Sequence, residues 1–178
     1  MNITRIGFGA WAMGGGNWEF GWGPQDDKKA TSAIKRAVEA GMNWIDTAAV
    51  YGLGHSEELV GKAVKGMREK PLIFTKCGLL WDDSGKIQRQ TKASTIRREC
   101  EASLRRLDVD VIDLYQIHWP VDEDIEEAFS AISDLIALGK VRYFSKAGVS
   151  NGYRRYEKWL NQLTHQGRNF EERYKECV

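Results

Sequence analysis

Cysteine is scarce in this chain of 178 residues: there are three, Cys77, Cys100 and Cys177. Their odd count and wide spacing argue against a disulfide framework, and no CxxC or Cys/His pattern offers a metal site. Free thiols in a reducing cytosol are the expectation, with no metal ion. Charge of one sign is also lacking, with 26 Lys+Arg against 25 Asp+Glu and a net charge of +1. That balance is unlike the basic excess of a nucleic-acid binder. No block of five like charges occurs, so neither an acidic nor a basic tail is expected. No apolar run approaches the roughly 18 residues of a membrane span. The uncharged run Ile6–Gly16 contains five glycines, which make a poor helix and a poor signal-peptide core. The expectation is a cytoplasmic protein that binds neither nucleic acid nor membrane.

What the chain does have is apolar material for one core, 42% hydrophobic and 11% aromatic. Short apolar runs alternate with longer amphipathic ones. Strands are predicted at Ile6–Phe8, Trp44–Ile45, Leu72–Thr75 and Val111–His118, then an interrupted one at Val141–Phe144 and Gly148–Ser150. Asp26 or Asp27 caps a helix to about Ala40, and Gly41 stops it. Ser56 opens a second helix to about Met67, with Glu57 and Glu58 suited to its N-terminal dipole. Ser94 or Thr95 opens a third to Leu107, and Asp122 or Asp124 caps a fourth that ends at Gly139. The stretch from Trp81 to Lys92 reads as a polar loop.

Repeated β-α alternation predicts a parallel sheet. No GxGxxG lies between the first strand and first helix, which disfavours a dinucleotide-binding doubly wound sheet. The remaining fold class is α/β of the (β/α)8 barrel type. Such a barrel needs about 250 residues. The expected architecture is therefore an incomplete barrel of about five βα units.

Polar groups sit at the predicted C-terminal ends of successive strands: Asp46 at the second, Lys76 at the third and His118 at the fourth. Tyr51 lies in the loop just past Asp46. In a parallel barrel these points share the face where active sites form. Each has a bland reading alone: a turn aspartate, a packed loop aromatic, a solvated strand-end lysine, a satisfied core histidine. Together they suit carbonyl reduction, which needs a hydride on carbon and a proton on oxygen. Tyrosine is a reluctant acid near pH 7, and a neighbouring ammonium is expected to lower its pKa. Asp46 would hold Lys76 charged and in place, and a neutral His118 would donate to the substrate oxygen. The hydride must come from a cofactor.

DTAAVYG at 46–52 followed by HSEELVGKAV at 55–64 resembles the aldo-keto reductase pattern. FTKCG at 74–78 and DLYQIHWP at 113–120 resemble that family's lysine and histidine strands. GKVRY at 139–143, GVSN at 148–151 and GFGAWAMGGG at 7–16 are similar to its fifth-strand and first-strand motifs. The resemblance spans about residues 3 to 151 and implies a catalytic tetrad of Asp46, Tyr51, Lys76 and His118, with Tyr51 the proton donor. It implies NADP(H) as cofactor, contacted by Asp46, Ser150 and Asn151. It also implies an aldehyde or ketone substrate held by Trp11, Tyr51 and His118. The chain departs from the pattern in placing Phe144-Ser145-Lys146-Ala147 between Tyr143 and Gly148, where the family has a shorter join.

Residues 152–178 are polar and read as a divergent, helical tail outside the partial barrel of 1–151. Three missing strands would leave open sheet edges, so a truncated product, or a half that associates with a second chain, is expected. Two other readings remain open. A lysine at a barrel strand end can form a Schiff base, which would make Lys76 a lyase nucleophile. A barrel of this type can also serve as a non-catalytic, partner-binding subunit.

Overall fold

The structure is a computed structural model and describes residues 1–119 and 125–146. Seven strands occur among them: β1 (Phe8–Gly9), β2 (Trp44–Asp46), β3 (Leu72–Cys77), β4 (Leu79–Trp81), β5 (Ile87–Arg89), β6 (Ile112–Ile117) and β7 (Val141–Lys146). Four α-helices intervene: α1 (Asp27–Glu39), α2 (His55–Val64), α3 (Ala93–Leu107) and α4 (Ile125–Ala137). Strands β1-β2-β3-β6-β7 form one parallel sheet in that order. The order never doubles back, as it must in a doubly wound sheet. Each parallel strand therefore lies beside its predecessor, as in a partial (β/α)8 barrel.

The core follows from this layering. β3 is buried from Ile73 to Cys77, because helices cover one face and the barrel interior the other. Ile34 of α1, Val60 of α2, Ile96 of α3 and Ile132 of α4 all reach 0% exposure in one cluster with Ile45, Ile112 and Ile117 of the strands. The helix spacing of these residues presents one apolar face to the sheet.

Local boundaries differ from expectation in instructive ways. Asp26 does cap α1, its Oδ1 accepting from Lys29 N at 2.9 Å, and Gly41 adopts φ 97° just past the helix end. Ser56 does not cap α2. The cap is Gly54 at φ 105°, and the Ser56 hydroxyl is buried and donates to Ala10 O at 2.8 Å. That bond ties α2 to the loop after β1, so tertiary need displaces the capping role. α2 also stops at Val64 rather than near Met67, because Lys65 turns extended (ψ 127°) and Gly66 takes φ 76°. α3 begins at Ala93, whose N–H donates to the Glu127 carboxylate of α4 at 2.8 Å instead of to a local cap. The capping candidates Asp122 and Asp124 of α4 lie outside the described residues.

Two larger differences concern strands. The expected loop Trp81–Lys92 instead holds the turn and second strand of the antiparallel hairpin β4–β5, closed by Asp82, whose Oδ1 accepts from Ser84 N, Ser84 Oγ and Lys86 N. β7 runs without interruption through Phe144 and Ser145 to Lys146, in continuous register with β6. Of the residues that looked like an insertion, Phe144, Ser145 and Lys146 are thus strand residues, and Ala147 lies outside the described residues. β1 sits at Phe8–Gly9, slightly later than Ile6–Phe8, because Gly9 pairs with Asp46.

Candidate active site

Parallel register carries the polar residues to one rim. Gly9 is level with Asp46, Ala10 N donates to Asp46 O at 2.8 Å, and Thr47 N donates to Phe74 O at 2.9 Å. His118 N donates to Cys77 O at 2.9 Å, just beyond β6. Asp46, Lys76 and His118 therefore stand at the C-terminal ends of β2, β3 and β6, and the loop after β2 brings Tyr51 over them.

The Lys76 ammonium is the hub. It donates to Asp46 Oδ2 at 2.7 Å, to Thr47 O at 2.8 Å and to Tyr51 OH at 3.3 Å. These contacts occupy all three ammonium donors. Lys76 is 7% exposed and Asp46 30%, so the pair lies at the edge of the barrel interior. Burial lowers the Lys76 pKa, while Asp46 and then Glu57 act in the opposite sense. Glu57 lies behind the site, fully buried, with Thr75 Oγ1 donating at 2.5 Å and Arg106 Nε at 2.6 Å.

Tyr51 behaves differently from the sequence expectation. Its pKa is raised to about 12, first by burial and then by Asp46. Lys76 touches the phenol, but Asp46 sits closer to that ammonium and offsets its charge, so the pair presents little net field to the hydroxyl. Tyr51 therefore keeps its proton at neutral pH. The His118 pKa falls to about 4 through burial and then the Lys76 charge, which leaves a neutral imidazole at pH 7, as anticipated. Its ring meets Tyr51 edge-on at 5.7 Å.

Above this group lies a cavity of about 250 Å³ lined by Tyr51, His118 and Trp11. The Trp11 ring stacks 6.1 Å from Tyr51 and is 43% exposed. Sequence reasoning missed the other walls. Trp18 and Phe20 come from the loop before α1, Leu79 from the hairpin, and Trp119 follows His118. Phe20 meets Trp119 edge-on at 5.9 Å. The aromatic run Asn17–Trp22 was a visible signal for this wall, since such a density of rings in a loop points to a binding surface. Ser150 and Asn151 lie outside the described residues. Among the described residues, no group of three or more His, Cys, Asp or Glu side chains could hold a metal ion, and no helix is long and apolar enough to cross a membrane.

This rim, with its carboxylate, ammonium, phenol and imidazole beneath an aromatic cavity on a partial barrel, agrees with comparisons to known proteins. The family model "Aldo/keto reductase family" matches residues 5–166, past Asn151. The chain belongs to the aldo/keto reductase family. It is 42% identical to aldo-keto reductase YhdN of Bacillus subtilis over 154 residues, covering 85% of this chain and 44% of that protein. It is 35% identical to the NADH-specific methylglyoxal reductase of Escherichia coli over 164 residues, covering 84% and 49%. Among solved structures, the glycerol dehydrogenase AKR11B4 of Gluconobacter oxydans matches with TM-score 0.79 and 37% identity, covering 89% of this chain and 48% of that one. An aldo-keto reductase of Klebsiella pneumoniae in complex with NADPH matches with TM-score 0.68 and 28% identity, covering 84% and 47%. The chain thus spans about half the length of the relatives it matches.

Proposed function

We propose that this chain carries the carbonyl-reducing centre of an NADP(H)-dependent oxidoreductase, converting an aldehyde or ketone to an alcohol. The observation that carries the reading is the single ammonium, Lys76, bonded to both Asp46 and the Tyr51 hydroxyl beneath an aromatic cavity.

A nicotinamide cofactor supplies the hydride when bound. The residues present suit such a group: Asp46 spends Oδ2 on Lys76 yet stays 30% exposed, so its carboxylate can accept from a ribose hydroxyl. The chain's own residues do the rest. Neutral His118 donates to the substrate oxygen and orients the carbonyl. Tyr51 gives up its proton to that oxygen as charge develops there. Lys76 then stabilises the resulting phenolate, which costs less beside an ammonium than in an apolar wall. The aromatic walls exclude water from the reacting carbon. NADP(H) follows the Klebsiella relative, whereas the Escherichia relative is NADH-specific, so both cofactors belong in the test.

Turnover of methylglyoxal and benzaldehyde would be followed with NADPH and with NADH. Tyr51→Phe should reduce kcat at least about 100-fold, the usual scale of a lost general acid, with an unchanged circular dichroism spectrum. Equal rates in the variant would overturn the role of Tyr51. Since His118 titrates near pH 4 and Tyr51 near 12, kcat should be flat from pH 6 to 9. Burial raises the pKa of Glu99 on α3 to about 7, so a fall in that range that survives Glu99→Gln would assign the proton to another group. The Schiff-base reading fits poorly with an ammonium whose three donors are all engaged, and borohydride trapping on Lys76 would restore it.

A further inference from the structure

Against one wall of the cavity rests a cation that the reduction chemistry does not use. In the β4–β5 hairpin, Arg89 pairs directly with Leu79. Directly paired residues of an antiparallel ladder project from the same face. Leu79 lines the cavity, so Arg89 stands on the cavity side of the hairpin. Trp81 and Ile87, two residues away on each strand, share that face and pack on the cluster of Ala48, Val50 and Leu79. The Arg89 guanidinium lies 4.7 Å from the centre of the Trp119 ring, and Trp119 is itself a cavity wall.

No described carboxylate on the wall competes for this charge. Among the described residues, no carboxylate lies within ion-pair distance of Arg89. Asp82, at the hairpin turn, is occupied by Ser84 and Lys86. Among the described residues no Asp or Glu lines the cavity, and its only polar side chains besides the three indoles are Tyr51 and His118. A guanidinium resting over an aromatic face keeps its in-plane N–H donors free, and that planar fork fits carboxylate and phosphate oxygens.

We propose that Arg89 is a specificity-determining residue: it selects carbonyl substrates bearing an anionic group, carboxylate or phosphate, that stays at this wall of the cavity while the carbonyl meets Tyr51 and His118. The inference rests on the reductase reading of the same site. Trp119 holds the guanidinium in place, and among the described residues no carboxylate lines the cavity to offset its charge.

The test uses matched pairs: 4-carboxybenzaldehyde against benzaldehyde, and glyceraldehyde 3-phosphate against glyceraldehyde. The ratio of kcat/KM within each pair would be measured for wild type, Arg89→Met and Arg89→Lys. Binding of the benzaldehyde pair would be followed separately by tryptophan quenching, which needs no turnover. The anionic member should be favoured about fivefold, the scale of a solvent-accessible ion pair. Arg89→Met should bring the ratio to about one, and Arg89→Lys should keep part of it, since the charge remains without the fork. Preference within the first pair alone identifies carboxylate as the recognised group, and within the second alone, phosphate. Equal ratios in wild type and Arg89→Met, in turnover and in binding, would overturn the proposal. Absent turnover of all four compounds with either cofactor would overturn the reductase reading instead. Arg89-dependent binding of 4-carboxybenzaldehyde would then still support the anion site, and its absence would overturn that too.

Discussion

Two buried glutamates, one on α2 and one on α3, show what separates an organised polar interior from an unfinished one. Glu57 is 0% exposed and meets Arg106 and Thr75, one bond to each carboxylate oxygen. Glu99 is 6% exposed and has a single partner, Gly78 N at 2.9 Å, while its Oε1 finds none in the structure. Thr91 Oγ1 and Tyr115 OH are likewise buried without a hydrogen-bond partner. The consequence for Glu99 is a pKa raised to about 7, driven first by burial. Depth is similar for the two carboxylates, and the supply of partners differs.

Both carboxylates lie behind β3, on the face opposite Lys76. Lys76 and Cys77 are consecutive on β3, so their side chains leave opposite faces of the sheet. Lys76 points to the barrel interior and the site. Cys77 points to the helix layer, where Tyr115 and Glu99 surround it and burial pushes its thiol pKa well up. Cys100 is raised to about 12 for the same first cause, so neither thiol is a nucleophile at neutral pH. Glu57 reaches the same face through Thr75, two residues before Cys77, and its charge still favours the Lys76 ammonium across the strand.

The contrast can be broken from its strong side first. Arg106→Met would strand the Glu57 charge in the core. Breaking a buried pair costs about 3–5 kcal/mol, and the 20% exposure of Arg106 puts this case near the lower end. Urea denaturation at pH 7 measures it, and a loss below about 1 kcal/mol would mean that water replaces the guanidinium.

The weak side comes next. The folded pKa of Glu99, about 7, lies above its ordinary 4.5, so the folded state holds this proton more tightly than the unfolded chain. Its contribution to stability is fully present below pH 4.5 and is lost as pH rises through 7. The span corresponds to about 3 kcal/mol. Glu99→Gln keeps the shape, removes the titration and offers an amide donor to the orphan oxygens. The variant should therefore be more stable than wild type at pH 8 by about 2–3 kcal/mol and similar at pH 4.5. Thermal melts across that range check it, and identical pH slopes in the two proteins would contradict it.

The smallest effect sharpens the comparison. Thr75→Val removes one of the two bonds to Glu57 and should cost about 1–2 kcal/mol. In an Arg106→Met background the same change should cost more, since Glu57 would then have lost both partners. A double-mutant cycle reads this coupling directly.

Much of the candidate site was legible in the chain. Apolar runs ending in Asp46, Lys76 and His118 at a regular β-α spacing placed all three on one rim, because parallel strands align their C-terminal ends. Trp11 was also found, from the first-strand motif. The hairpin was missed because Leu79–Trp81 and Ile87–Arg89 are only three residues each, and the Asp-Asp-Ser-Gly turn between them was the better signal. The extension of β7 past Phe144 to Lys146 was missed because Ser145 and Lys146 look polar. Strand pairing with β6 overrides that weak preference.

By itself the sequence determined the alternation of strands and helices, the parallel sheet it requires, and which ionisable residues end the strands. These follow from period and order, which are local properties. Only the tertiary structure decided that Ser56 would bind Ala10 rather than cap a helix, and that Trp18, Phe20 and Trp119 would join Trp11 around one cavity. It also decided that Tyr51 would be pushed up rather than down. The reason is common to all three: a hydroxyl's partner, a ring's neighbours and a phenol's field depend on groups distant in sequence, whose distance and desolvation exist only once the chain is packed.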